Sequence, residues 1–116
     1  MGEARWTEDG IAILDAHQHF WDPVANPIPW LREQPPIAFR YGDYAALRRP
    51  YLPADYLADA AGLPVVGTVY VETEWDPAHP VDEMRYVREL RDGSGLPSVA
   101  VAAAWLHEPR TASLLE

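Results

Sequence analysis

Hydrophobic positions fall along this chain in short blocks whose period changes from one block to the next. Ile11 to Ala16 is apolar without strict polar alternation, which predicts a strand buried on both faces. Pro53 to Ala61 predicts a helix. Pro53 suits its first turn, Asp55 its positive end, and Gly62 stands where a C-terminal glycine belongs. Pro64 to Glu72 is rich in Val and Tyr and predicts a second strand. Val81 to Arg91 predicts a second helix. Val81, Met84, Val87 and Leu90 share one face, Asp82 and Glu83 lie early, and Arg88 and Arg91 lie late. Gly93-Ser94-Gly95 ends it. Ser98 to Leu106 is an Ala-rich apolar run that suits helix or strand alone, and its place in the order makes it a third strand.

The order β-α-β-α-β calls for parallel strands joined by crossovers. Phe20 to Pro53 breaks the rhythm. It has no clear period, and it carries Trp21, Trp30, Phe39, Tyr41, Tyr44 and Tyr51 among many prolines. A loop of that length is either a functional lid or a segment glued down by its own aromatics.

Ligands of parallel α/β sheets gather at the carboxyl ends of the strands. The three predicted strands end in His17 and His19, in Glu72 and Glu74, and in His107. Period-two alternation puts Asp15, His17 and His19 on one face. Two imidazoles so placed can share one metal ion or one substrate oxygen. Asp15 then becomes a candidate to orient an imidazole. Trp21 and Trp75 are candidate pocket walls, with plain packing as the alternative. The pair Arg48-Arg49 is a candidate fork for a substrate carboxylate. His79, in an Ala-His-Pro loop, reads as a surface residue.

Leu14-Asp-Ala-His-Gln-His-Phe-Trp-Asp22 resembles the first-strand signature of the amidohydrolase-related family, in the branch of TIM-barrel hydrolases that includes fuconolactonase and pyrone-dicarboxylate lactonase. Tyr51-Leu-Pro-Ala-Asp55, Gly67 to Pro77 and Val81 to Tyr86 are similar as well. The resemblance covers Ile11 to about Leu106. It implies the N-terminal β-α-β-α-β portion of a (β/α)8 barrel, with residues 1–10 as a tail and 11–116 as an incomplete barrel domain. It implies hydrolysis of a lactone of a small polar or acidic molecule, by water attack on a polarised carbonyl. His17 and His19 become the catalytic pair and the metal ligands, with Glu72, Trp21, Arg48 and Arg49 as substrate-binding candidates. The implied cofactor is a divalent metal, zinc or manganese. Some lactonases of the branch polarise the carbonyl without a metal, so that route stays open.

Length sharpens this expectation. At 116 residues the chain is far shorter than the roughly 250 of a complete barrel. The later histidines and the aspartate base of the family have no counterparts in it. The expectation is therefore a truncated part, inactive by itself. The alternative is a non-catalytic metal- or ligand-binding module whose open sheet edges pair copies into a homo-oligomer.

Composition narrows the classes further. The net charge of −9 argues against nucleic acid and against an anionic membrane surface, leaving a small-molecule substrate as partner. All nine basic residues are Arg, so neither Schiff-base chemistry nor a carbamylated-lysine metal bridge is available. No Cys is present, which removes thiolate nucleophiles and disulfides. The first ten residues lack the apolar stretch of a signal peptide, and a cytoplasmic protein is expected.

Overall fold

A computed structural model of the chain describes residues 10–38 and 42–116. Residues 1–9 of the expected tail, and Phe39 and Tyr41 of the aromatic loop, lie outside the described residues. Three parallel strands form one sheet in the order β1 (Ile13–Gln18), β2 (Val65–Val71), β3 (Val99–Val101). Helices α1 (Pro29–Arg32), α2 (Pro53–Asp59), α3 (Pro80–Ser94) and α4 (Thr111–Leu114) lie between and after them. The expected α/β class and parallel sheet are those found.

The two long helices form where the sequence places them, for the expected reasons. Asp55 accepts the Leu52 backbone N–H at 2.8 Å, which satisfies one free donor at the start of α2. Gly95 takes φ +83° and returns its N–H to the Arg91 carbonyl at 2.8 Å, closing α3. Gly93 is inside the helix, so of the two glycines only Gly95 is the stop. On α3, Val87 is buried and Met84 and Leu90 are half-buried, whereas Val81 is exposed.

Register fixes which residues share a sheet face. Leu14 pairs with Gly67, Val69 with Val99, and Val71 with Val101, so these six lie on one side. Thr68 and Tyr70 lie on the other side, fully buried, with Phe20, Val87, Tyr56 and Met84 packed around Tyr70. The helices cover that second side. The first side is open: Leu14 is 60 % exposed, Val99 53 % and Val101 51 %. This corrects the expectation that the first strand is buried on both faces. β1 is an edge strand, and the face carrying Leu14 has no covering layer among the described residues.

The third strand is also shorter than expected. β3 stops at Val101, because β2, its partner, ends at Val71 and leaves the following alanines no ladder to join. Residues after it turn instead, with Glu108 N–H on the Trp105 carbonyl at 2.9 Å and Thr111 N–H on that of Glu108 at 3.1 Å.

The aperiodic loop is glued down by its aromatics. Trp21 and Tyr51 exchange both backbone hydrogen bonds, at 3.0 and 2.8 Å, and so close its base. Trp21, Ile28, Leu31 and Trp75 bury together as a second core, with Trp30, Tyr51 and Tyr86 against them. Trp30 donates its indole N–H to the Thr73 carbonyl at 2.9 Å, which ties the loop to the end of β2. Among the described residues no helix is long and apolar enough to cross a membrane.

Candidate functional site

His17 is the second-to-last residue of β1 and His19 follows its end. Their Nε2 atoms approach to 3.2 Å, and the rings meet edge to face with centroids 5.0 Å apart. The two imidazoles therefore converge on one point at the carboxyl end of the sheet. A bulge puts them there. Asp15 pairs with Thr68 and Gln18 with Tyr70, so β1 spends three steps where β2 spends two. The extra residue inverts the alternation.

The same bulge corrects the reading of Asp15. It stands on the helix-covered side, opposite the histidines. Its Oδ2 accepts the Tyr56 hydroxyl at 2.8 Å, and its Oδ1 accepts the His17 backbone N–H at 3.1 Å. Asp15 thus supports the bulge through the main chain and bonds to neither imidazole ring. Burial and the Asp15 bond together push the Tyr56 hydroxyl up to about 12.

His19 is held on three sides. Nδ1 lies 2.8 Å from the Val71 carbonyl. A carbonyl only accepts, so Nδ1 carries the proton and the Nε2 lone pair faces His17. The ring stacks on Trp21 at 5.6 Å and 15°, and its edge meets Tyr70. His17 is exposed and is the freer of the two.

This spacing can be tested against a metal. Imidazole nitrogen binds zinc at about 2.0–2.1 Å. Two such bonds at an angle of roughly 90–109° place the nitrogens about 2.9–3.4 Å apart. The observed 3.2 Å falls in that range, and the proton on His19 Nδ1 leaves Nε2 free to ligate. The pair fits a divalent ion. Among the described residues no third His, Asp or Glu joins it.

Other predicted site residues are placed apart from the pair. Glu72 is half-buried, accepts the Glu74 N–H at 2.8 Å, and lines a separate cleft of about 370 Å³ walled by Trp30, Trp75 and Trp105. Neither histidine borders that cleft. Trp21 is in the core. Its indole N–H bonds the Leu47 carbonyl at 3.1 Å and its ring backs His19. Arg48 reaches no pocket. Its guanidinium donates to the carbonyls of Leu31 at 2.9 Å and Glu33 at 2.8 Å, capping the end of α1. Those bonds engage its fork with main-chain carbonyls. Arg49 is exposed. His107 stacks on Trp105 in the open, and exposed His79 bonds Asp76 at 3.0 Å. That bond holds the Asp76 carboxyl below its usual value.

One residue near the site was invisible to the hydrophobic pattern. Glu83, on α3, is fully buried. Its Oε1 accepts the Tyr70 hydroxyl, the Thr73 hydroxyl and the Thr73 N–H, each at 2.8 Å. Oε2 meets no donor among the described residues. Burial raises its pKa against the pull of those three bonds. An acidic residue near a helix start is ordinary, so nothing in the sequence marked this one as interior.

The parallel sheet and its helices match part of an amidohydrolase of known structure. The comparisons agree at the level of fold. A crystal structure of an amidohydrolase from Burkholderia multivorans with bound zinc superposes on 90 % of this chain with a TM-score of 0.60 and 24 % identity, over 32 % of its own length. An uncharacterized protein of Sinorhizobium fredii, y4mH, is 37 % identical over 107 residues, which cover 91 % of this chain and 35 % of that protein. The chain therefore spans about a third of the length of each. No protein-family model matches it.

Proposed function

We propose that this chain supplies the first two ligands of a metal-assisted hydrolase of the amidohydrolase type, acting on a lactone or related ester of a small polar molecule. The observation that carries the reading is the 3.2 Å approach of His17 and His19 Nε2 at the end of β1. The zinc in the Burkholderia amidohydrolase, whose fold this chain shares in part, supports the same ion here.

A divalent ion at this pair would polarise a carbonyl and lower the pKa of a water beside it. The protein's own part is orientation. The Val71 carbonyl sets the tautomer of His19, Trp21 sets its plane, and the bulge held by Asp15 aims both rings outward. In the reaction, water oxygen bonds to the lactone carbonyl carbon and the ring C–O bond breaks. The released alkoxide takes a proton, leaving a hydroxy acid. Two ligands do not complete a metal site, so turnover depends on further groups.

The test is a zinc titration with lactone hydrolysis measured alongside. Stoichiometric zinc lost in His17→Ala and in His19→Ala supports the reading, and a wild-type chain that takes up no zinc overturns it. A second reading, a metal-binding module that self-associates, draws on the exposed Leu14, Val99 and Val101 beside the edge strands. A discrete zinc-loaded dimer with no hydrolytic activity would favour that one.

A further inference from the structure

We infer that Glu83 is a positioning residue for the histidine pair, fixing the direction of the Val71 carbonyl and through it the tautomer and aim of His19. The inference rests on reading His17 and His19 as the working pair, and it adds a residue from a distant part of the chain to their support.

β2 pairs with β1 only as far as Tyr70, opposite Gln18, and with β3 only as far as Val71, opposite Val101. The peptide joining Val71 to Glu72 is the last one the ladder holds, and beyond it the ladder no longer dictates how the peptide planes turn. The Val71 carbonyl, which receives the His19 Nδ1–H at 2.8 Å, stands at this free end. Two anchors stop it from rotating. On one side Glu72 N–H donates to the Val101 carbonyl at 3.0 Å. On the other, Glu83 Oε1 takes the Tyr70 hydroxyl before Val71 and both donors of Thr73 after it. The Tyr70 hydroxyl and both Thr73 donors thus meet on a single atom, which ties down the segment that carries the Val71 carbonyl.

A carboxylate suits the task. Three donors converging on one oxygen are stronger bonds when that oxygen carries charge. The positive end of α3 also favours an anion in its first turns. Burial locks the arrangement, since Glu83, Tyr70 and Thr73 are all interior. The Tyr70 ring edge also meets His19, so the same clamp holds a second contact of that imidazole.

The experiment is a long-range ¹H–¹⁵N correlation of the histidine rings in the 116-residue chain, without metal, at a pH where the imidazoles are neutral. Wild type should show His19 in the Nδ1–H form. Glu83→Ala should lower the ratio of Nδ1–H to Nε2–H several-fold, because an unheld imidazole prefers the other tautomer. Glu83→Gln, which keeps an accepting oxygen, should restore it. Zinc affinity should weaken about tenfold in Glu83→Ala and recover in Glu83→Gln. If Glu83→Ala does not fold, Tyr70→Phe combined with Thr73→Val removes two of the three donors with little change of shape. An unchanged tautomer ratio in either folded variant overturns the inference, even where the melting temperature falls. The tautomer is read without zinc. A wild-type chain that binds none therefore defeats the metal reading separately and leaves the role of Glu83 decided by the ring spectra.

Discussion

Gly67→Ala probes the close approach on which the sheet register depends. A Cβ at Gly67 would lie 2.8 Å from Ser98 Oγ and 3.3 Å from Leu14 Cδ1. Leu14 is exposed and has room to turn away. Ser98 has less freedom, because its Oγ accepts the Thr68 N–H at 3.1 Å and its own N–H donates to the Thr68 carbonyl at 3.0 Å. Rotating Oγ aside orphans the N–H of a fully buried residue, at a cost of about 1–3 kcal/mol. Alanine gains about 0.5–1 kcal/mol over glycine in a strand. The net expectation is a loss of about 1–2 kcal/mol.

The origin of that loss is separable by a double-mutant cycle with Ser98→Ala. Ser98→Ala alone orphans the same N–H and should cost a similar amount. In that background the nearest remaining Ser98 atom, Cβ, is 3.7 Å from the added methyl, an ordinary contact. Gly67→Ala should then be neutral or slightly stabilising. Urea unfolding followed by tryptophan fluorescence measures all four corners. Simple additivity of the two single losses would refute the clash, and with it the register of Gly67 between Leu14 and the start of β3.

Two further outcomes follow from the same contacts. Because burial raises the pKa of Glu83 above the usual glutamate value near 4.5, the folded chain binds that proton more tightly than the unfolded chain. Its contribution is therefore fully present at low pH and declines as pH rises through the folded pKa. Wild type should lose stability relative to Glu83→Gln as pH rises above about 4.5; a wild type that holds or gains stability relative to Glu83→Gln over that rise contradicts the raised pKa of the buried carboxyl. Arg48→Ala, which removes the hydrogen bonds to the carbonyls of Leu31 and Glu33, should lower stability by about 1–2 kcal/mol in urea unfolding. An unchanged midpoint would contradict its capping of α1.

What the sequence could show and what it could not divide along a physical line. Local signals carried the elements: valines marked β2, Pro53 and Asp55 marked α2, and the three-residue spacing of Met84, Val87 and Leu90 marked the inward face of α3. The histidine pair was legible because its spacing is two. The assignment of Asp15 failed for the same reason, since the bulge between Asp15 and Gln18 is a property of pairing with β2 and leaves no mark on β1 alone. The length of β3 was set by where β2 ends, and the exposure of Leu14 by what lies beside the sheet. Arg48 and Glu83 are long-range cases. Each is an ordinary charged residue whose role depends on carbonyls or hydroxyls 10 to 17 positions away.

The converging histidine pair is tested most directly by where a metal ion binds. A zinc titration followed at the ring nitrogens of all four histidines asks that question atom by atom. The prediction is that Nε2 of His17 and of His19 shift together at one equivalent, while His19 Nδ1 keeps its proton against the Val71 carbonyl. His79 and His107 should stay unchanged. Zinc appearing at His79 or His107, or shifting only one of the pair, would contradict the converging site at the end of β1.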